Sequence, residues 1–172
     1  MHAYVVAGRA GVGKSTLGRA LASSTGAVLL DLDTVTNGLL DGVFPATGLP
    51  GHWNDHRHRG WVRPARYAAL LDVAAEQVTL GRDVVLVAPF SAELSGGPEW
   101  DTLCDRLGPA VMVVVWLHAP QEVLSRRVRE RGELRDSALL EQRPAVAPAV
   151  PHLAVDATLT TSEQVAQVLD GS

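Results

Sequence analysis

The octapeptide Gly8-Arg9-Ala10-Gly11-Val12-Gly13-Lys14-Ser15 fits the pattern G-x-x-x-x-G-K-[ST] and constrains this chain more than any other segment. It follows a short, nearly continuous apolar run, Ala3 to Ala7, and opens an amphipathic stretch from Lys14 to Ser24 that stops at Gly26. Strand, glycine-rich loop and helix in that order form the phosphate-binding loop, or P-loop. Its glycines let successive backbone N–H groups converge on one anion at a helix N-terminus. Gly8, Gly11, Val12, Gly13, Lys14, Ser15 and Thr16 are therefore expected to hold a nucleotide's phosphates, with the Ser15 hydroxyl on Mg²⁺. Lys14 is the only lysine among 15 basic side chains. Arginine carries a broad planar fork, whereas this loop must wrap a compact ammonium. At this one position the exchange to arginine seen everywhere else is not expected to work.

The rest of the chain sets the frame. Its 172 residues are 47% hydrophobic, enough for one ordered domain with one sizeable core. A net charge of -4 argues against nucleic acid as a bulk partner, and no apolar run reaches the roughly 20 residues that span a bilayer. One cysteine, Cys104, permits neither an intrachain disulfide nor a cysteine-based zinc site. Without a basic, cleavable N-terminal segment, the expectation is a cytoplasmic protein with no membrane partner. Further strands are expected at Ala27–Leu32, Asp83–Ala88, Ala110–Leu117 and His152–Val155. Helices are expected over Val62–Leu80, Glu99–Leu107, from Pro120 to Gly132, and over Ser162–Leu169. Alternating strands and helices imply parallel βαβ units, with the phosphate site at the carboxyl edge of the sheet. Gly42–Gly60 and Arg143–Pro151 resist assignment and read as functional loops or mobile segments.

At the end of the second strand, Asp31-Leu32-Asp33 would place two carboxylates on one side of an extended segment, at the edge where the P-loop presents phosphate. An Asp there can take a proton from a hydroxyl or hold Mg²⁺ through water. The alternative is a turn in which Asp33-Thr34 caps a helix starting near Val35.

These motifs, together with the arginine-rich stretch Leu124–Gly132 and Arg135-Asp136, resemble the P-loop small-molecule kinases. The similar groups are the shikimate kinase, gluconate kinase and chloramphenicol phosphotransferase-like enzymes of the nucleoside-monophosphate-kinase fold. The resemblance implies an α/β fold: a three-layer αβα sandwich around a five-stranded parallel sheet in order 2-3-1-4-5, with a lid at about residues 126–143. It also implies ATP and Mg²⁺ as cofactors and a small-molecule hydroxyl acceptor. Asp33 then contacts or deprotonates the acceptor, Asp31 stands nearer the metal with Ser15, Arg127 meets adenine, and Arg131 or Arg135 meets phosphate. Planar arginine forks suit the charge that phosphoryl transfer spreads over equatorial oxygens. The third strand departs from common P-loop ATPases, because Val87-Ala88-Pro89-Phe90-Ser91 offers no carboxylate for the metal. No guanine-reading motif is present, since Lys14 is the sole lysine.

In the family, the acceptor is bound between strands two and three. Here residues 34–67 contain the marked run His52-Trp53-Asn54-Asp55-His56-Arg57-His58-Arg59-Gly60-Trp61-Val62-Arg63-Pro64-Ala65-Arg66-Tyr67. Its rings offer flat apolar walls and its polar groups offer donors, which suits a sugar, an aminocyclitol or a similar polyhydroxylated molecule; the arginines also admit an anionic group. His52, Trp53, Arg57, Arg63 and Arg66, with Asp31, Asp33 and Phe90, are the candidate acceptor-binding residues. The histidine spacing is too loose to define a zinc site. An ATP:alcohol phosphotransferase, a monomer or homodimer with Asp33, Lys14 and Arg131 as catalytic groups, is the leading reading. A nucleoside or nucleotide kinase and a non-catalytic nucleotide-dependent switch stand as alternatives.

Overall fold

A computed structural model describes residues 1–124 and 146–172. Five strands, β1 (His2–Gly8), β2 (Val28–Asp31), β3 (Val84–Val87), β4 (Val111–His118) and β5 (Leu153–Asp156), form one sheet in the order β2-β3-β1-β4-β5. Every neighbouring pair is parallel. The expected order 2-3-1-4-5 is the one found, with helices on both faces.

The alternation of side chains along each strand explains the three layers. Ala3, Val5 and Ala7 of β1, with Val84 and Leu86 of β3, enter one buried cluster. That cluster also takes Tyr67, Leu70, Leu71, Ala74 and Val78 from α3 (Arg59–Thr79), and Leu103 and Leu107 from α4 (Pro98–Leu107). Tyr4 and Val6, with Val85 and Val87, point the other way. They meet Leu17, Leu21 and Ala22 of α1 (Lys14–Thr25) and Val168 of the C-terminal helix (Thr161–Asp170). A strand buried on both faces reads as an unbroken apolar run, which is why β1, β3 and β4 were legible.

Element ends moved where side chains compete for backbone donors. The second strand stops at Asp31, and α2 (Leu32–Val43) begins at once. Asp31 Oδ1 accepts from the Asp33 N–H at 3.0 Å and caps that helix. The helix therefore starts three residues before Val35, and Asp33 lies in its first turn instead of on a strand. Asp31 and Asp33 do not share a side of an extended segment. Asp31 is buried, 8% exposed, while the Asp33 side chain is 72% exposed.

The unassigned stretch 42–60 is largely ordered by a small apolar cluster of Phe44, Trp53 and Val62, with Leu40 packed against it. Phe44–Thr47 form a 3-10 turn, and α3 begins at Arg59 instead of Val62. In the second unassigned stretch, the Ala149 N–H donates to the Leu94 carbonyl at 2.8 Å, and Val150 is buried. Among the described residues, no helix is long and apolar enough to cross a membrane.

Candidate active site

The P-loop joins the carboxyl end of β1 to α1. Gly8 and Gly13 have φ of 146° and 109°, and Gly13 is the left-handed N-cap of α1. At Gly8 a Cβ would stand 2.4 Å from the Leu117 carbonyl oxygen, so the loop can leave β1 beside β4 only with glycine there. The Thr16 and Leu17 N–H groups both reach the Gly13 carbonyl at 3.0 Å, which starts the helix. Lys14 Nζ donates to the Arg9 carbonyl at 2.8 Å, keeping the ammonium folded over the loop. Arg9 Nη1 also donates to Gln121 Oε1, on the helical turn at residues 121–124. Val12 is buried in the α1-side cluster, so its part in the loop is to anchor it.

The structure brings Ser15 and Asp31 together. The Ser15 hydroxyl donates to Asp31 Oδ2 at 2.7 Å. One carboxylate thus holds the P-loop serine through Oδ2 and caps α2 through Oδ1. Serine and carboxylate oxygens are hard donors, the set that suits Mg²⁺ retaining several waters. Among the described residues, no cluster of three or more His, Cys, Asp or Glu forms a metal site, and the loosely spaced histidines form none.

At the start of α3 lies a small, open depression lined by Trp53, Asn54, Arg59, Val62, Arg63 and Arg66. Arg59, Arg63 and Arg66 fall on one face of α3 because they are spaced by four and three residues. Two of these arginines are held from behind. Arg63 Nη2 donates to both Glu93 carboxylate oxygens, at 2.8 and 2.7 Å, and its guanidinium carbon lies 4.2 Å from the Tyr67 ring centre. Arg66 binds Asp33, Thr36 and Asn37 of α2 and lies 4.8 Å over the Trp53 ring. Trp53 is itself fixed by its indole N–H, which donates to Asp41 Oδ1 at 2.6 Å.

Of the expected acceptor residues only Trp53, Arg63 and Arg66 line this depression; Asp31 stays with the P-loop, Asp33 reaches it only through Arg66, and three others stand elsewhere. His52 lies outside the pocket lining, against Trp53 and 3.4 Å from Asp41. Arg57 folds onto Asp55 through Nε and Nη2, and this pairing holds the Asp55 carboxyl well below the usual carboxylate range. Phe90 is fully buried, so its ring belongs to the core and not to a pocket wall. It packs edge-on against Tyr67 at 5.6 Å, with a left-handed φ of 49°. The Phe90 N–H donates to the Tyr67 hydroxyl at 3.0 Å. Burial, with help from the Glu93 charge, pushes that hydroxyl up to about 12. Arg127, Arg131 and Arg135, and the lid at 126–143, lie outside the described residues.

Thr36, Asn37, Asp41 and Tyr67 were not singled out from sequence. For Asn37 and Asp41 the signal is helical spacing: positions 33, 37 and 41 share one face of α2, the helix that the alternative reading starts near Val35.

Solved structures with the same fold place this site in context. A kinase-like protein of Chloroflexus aurantiacus is 22% identical with a TM-score of 0.72, covering 99% of this chain and 94% of that one. A gluconokinase of Sinorhizobium meliloti 1021 is 24% identical with a TM-score of 0.63, covering 99% and 90%. The APS kinase of Mycobacterium tuberculosis, in complex with AMPPNP and APS, is 18% identical with a TM-score of 0.62, covering 98% and 95%. No curated protein matches in sequence. The AAA domain family, however, is matched over residues 4–147. The P-loop geometry, the parallel sheet and that match agree: this chain belongs to the AAA domain family and has the fold of the small P-loop kinases.

Proposed function

We propose that this protein transfers the γ-phosphoryl group of ATP to a hydroxyl of a small polar molecule. The observation that carries this reading is one continuous set of contacts. Ser15 of the P-loop bonds Asp31, Asp31 caps the helix that carries Asp33, and Asp33 pairs with Arg66 on the pocket wall. A phosphate site, an exposed carboxylate and an arginine-lined depression are thus joined through Ser15, Asp31, Asp33 and Arg66. A protein that only bound nucleotide would have no use for the second and third parts. The gluconokinase and APS kinase of the same fold support the reading.

In this reading the P-loop N–H groups and Lys14 hold the phosphates and offset charge as it shifts toward the leaving oxygen. Ser15 and Asp31 would hold Mg²⁺, which supplies neutralisation of the phosphate charge. Asp33 accepts the proton of the acceptor hydroxyl as that oxygen attacks phosphorus and the bond to ADP breaks. The polar lining formed by Asn54, Arg59 and Arg63 suits a polyhydroxylated molecule such as a sugar, aminocyclitol or related antibiotic, while the buried Trp53 ring supports Arg66 from beneath.

The test is ADP formation from Mg²⁺·ATP with a panel of D-gluconate, shikimate, inositol, an aminocyclitol, chloramphenicol and nucleosides, with mass spectrometry of the products. One member is expected to gain about 80 Da, the mass of one phosphoryl group. A product formed only from nucleosides would favour the nucleoside kinase. Nucleotide binding without transfer to any member would leave a nucleotide-dependent switch.

A further inference from the structure

Arg66 sits where an acceptor-binding residue is expected, yet most of its fork is spent inside the protein. Its Nε donates to Thr36 Oγ1 at 2.8 Å, and its Nη2 donates to Asp33 Oδ1 at 2.5 Å and Asn37 Oδ1 at 2.8 Å. The Thr36 hydroxyl donates to the Leu32 carbonyl at 2.7 Å, so its oxygen is left as an acceptor for Arg66. Residues 33, 36 and 37 lie on one face of α2, and Asp41, one turn further, pins the indole on which the guanidinium rests. The Arg66 side chain is only 14% exposed, while its partner Asp33 is 72% exposed. A carboxylate that open would otherwise sample its rotamers freely. The clamp takes Oδ1, and among the described residues none hydrogen-bonds Oδ2.

We propose that Arg66 is a positioning residue that acts through Asp33: it holds Oδ1 so that Oδ2 is the oxygen presented to the acceptor hydroxyl. The inference rests on the phosphotransfer reading above. The hydroxyl proton passes to Asp33 Oδ2, and the oxygen lone pair forms the new bond to phosphorus. The bridging P–O bond breaks, ADP leaves with that electron pair, and Asp33 afterwards gives its proton to solvent. A base misplaced by about an ångström costs on the order of 10–100-fold in rate, so such a clamp has a measurable consequence.

The test is a double-mutant cycle of Arg66→Met and Asp33→Asn. It is read as kcat and KM for the panel member that turns over fastest and, as a second acceptor, for water. Methionine keeps an apolar stem over Trp53 without the fork. Arg66→Met is expected to lower kcat on the order of 10–100-fold while KM moves less than about threefold. In the Asp33→Asn background the same change is expected to alter kcat less than about twofold, because its route is already gone. Arg66→Lys, with one donor in place of a fork, is expected to fall between. If Arg66→Met unfolds, as a thermal melt would reveal, Thr36→Val with Asn37→Ala loosens the clamp while leaving the arginine. It too should matter only when Asp33 is present. Losses that multiply across the cycle, or a raised KM with unchanged kcat, overturn the proposal and make Arg66 a direct acceptor contact. Full transfer by Asp33→Asn overturns Asp33 as the base as well, so the two failures can be told apart.

Discussion

The Ser15 hydroxyl lies 2.7 Å from Asp31 Oδ2, and through it one buried carboxylate joins the phosphate loop to the first turn of the next helix. Asp31 therefore does two jobs that substitutions can separate. Asparagine keeps the capping oxygen but removes the charge. Asp31→Asn is expected to keep its melting temperature near that of the parent protein while requiring more Mg²⁺ for half-maximal turnover. Asp31→Ala loses the cap as well and should cost about 1 kcal/mol of stability. A Mg²⁺ titration of turnover beside a thermal melt reads both.

The lone lysine is tested by its most conservative replacement. Lys14 Nζ folds back to the Arg9 carbonyl at 2.8 Å, inside a loop too tight for a planar fork. Lys14→Arg is expected to lose nearly as much phosphoryl transfer as Lys14→Ala, both on the order of 100-fold or more. Substantial activity in Lys14→Arg would refute the argument from the arginine background.

Gly8 is held by geometry alone. A methyl group there would press on the Leu117 carbonyl oxygen at 2.4 Å, with φ at 146°. Gly8→Ala should destabilise the fold by about 1–3 kcal/mol, because backbone cannot step aside as a flexible side chain can. Urea denaturation measures it.

Tyr67 gives a pH dependence with a definite sign. Burial raises the hydroxyl from 10.0 to about 12 in the folded state. The neutral form therefore contributes stability that is fully present below pH 10. As pH rises from there through about 12, the unfolded chain gives up this proton first, and the contribution is lost. Tyr67→Phe should flatten that part of the stability profile. It should also cost about 1–3 kcal/mol at neutral pH, because the buried Phe90 N–H loses its acceptor. Denaturant midpoints at pH 8 and at pH 11 give the comparison.

The residues that could be read in advance are those whose role is local. The P-loop declares itself because glycines, lysine and serine are demanded by backbone conformation and by one anion. The strand order followed from the resemblance, and the alternation of small apolar residues along β1 explains why the sheet is covered on both sides. For the acidic pair the structure lies nearer the helix-cap alternative than the extended one, with the cap at Asp31 instead of Asp33-Thr34. A strand-end reading cannot anticipate that Asp31 takes the Asp33 N–H and turns the chain into a helix within one residue.

The acceptor side shows the limit most clearly. The sequence by itself determined that aromatic and arginine side chains crowd residues 52–67, and that a phosphate loop precedes them. Only the tertiary structure decided their roles. Arg57 turns to Asp55, Arg63 to Glu93 and Arg66 to Asp33, while Phe90 enters the core and Trp53 is buried beneath Arg66. A guanidinium binds whichever carboxylate is brought within reach. For Glu93 and Asp33 that reach spans 30 and 33 residues of sequence and exists only once α2, α3 and β3 have packed.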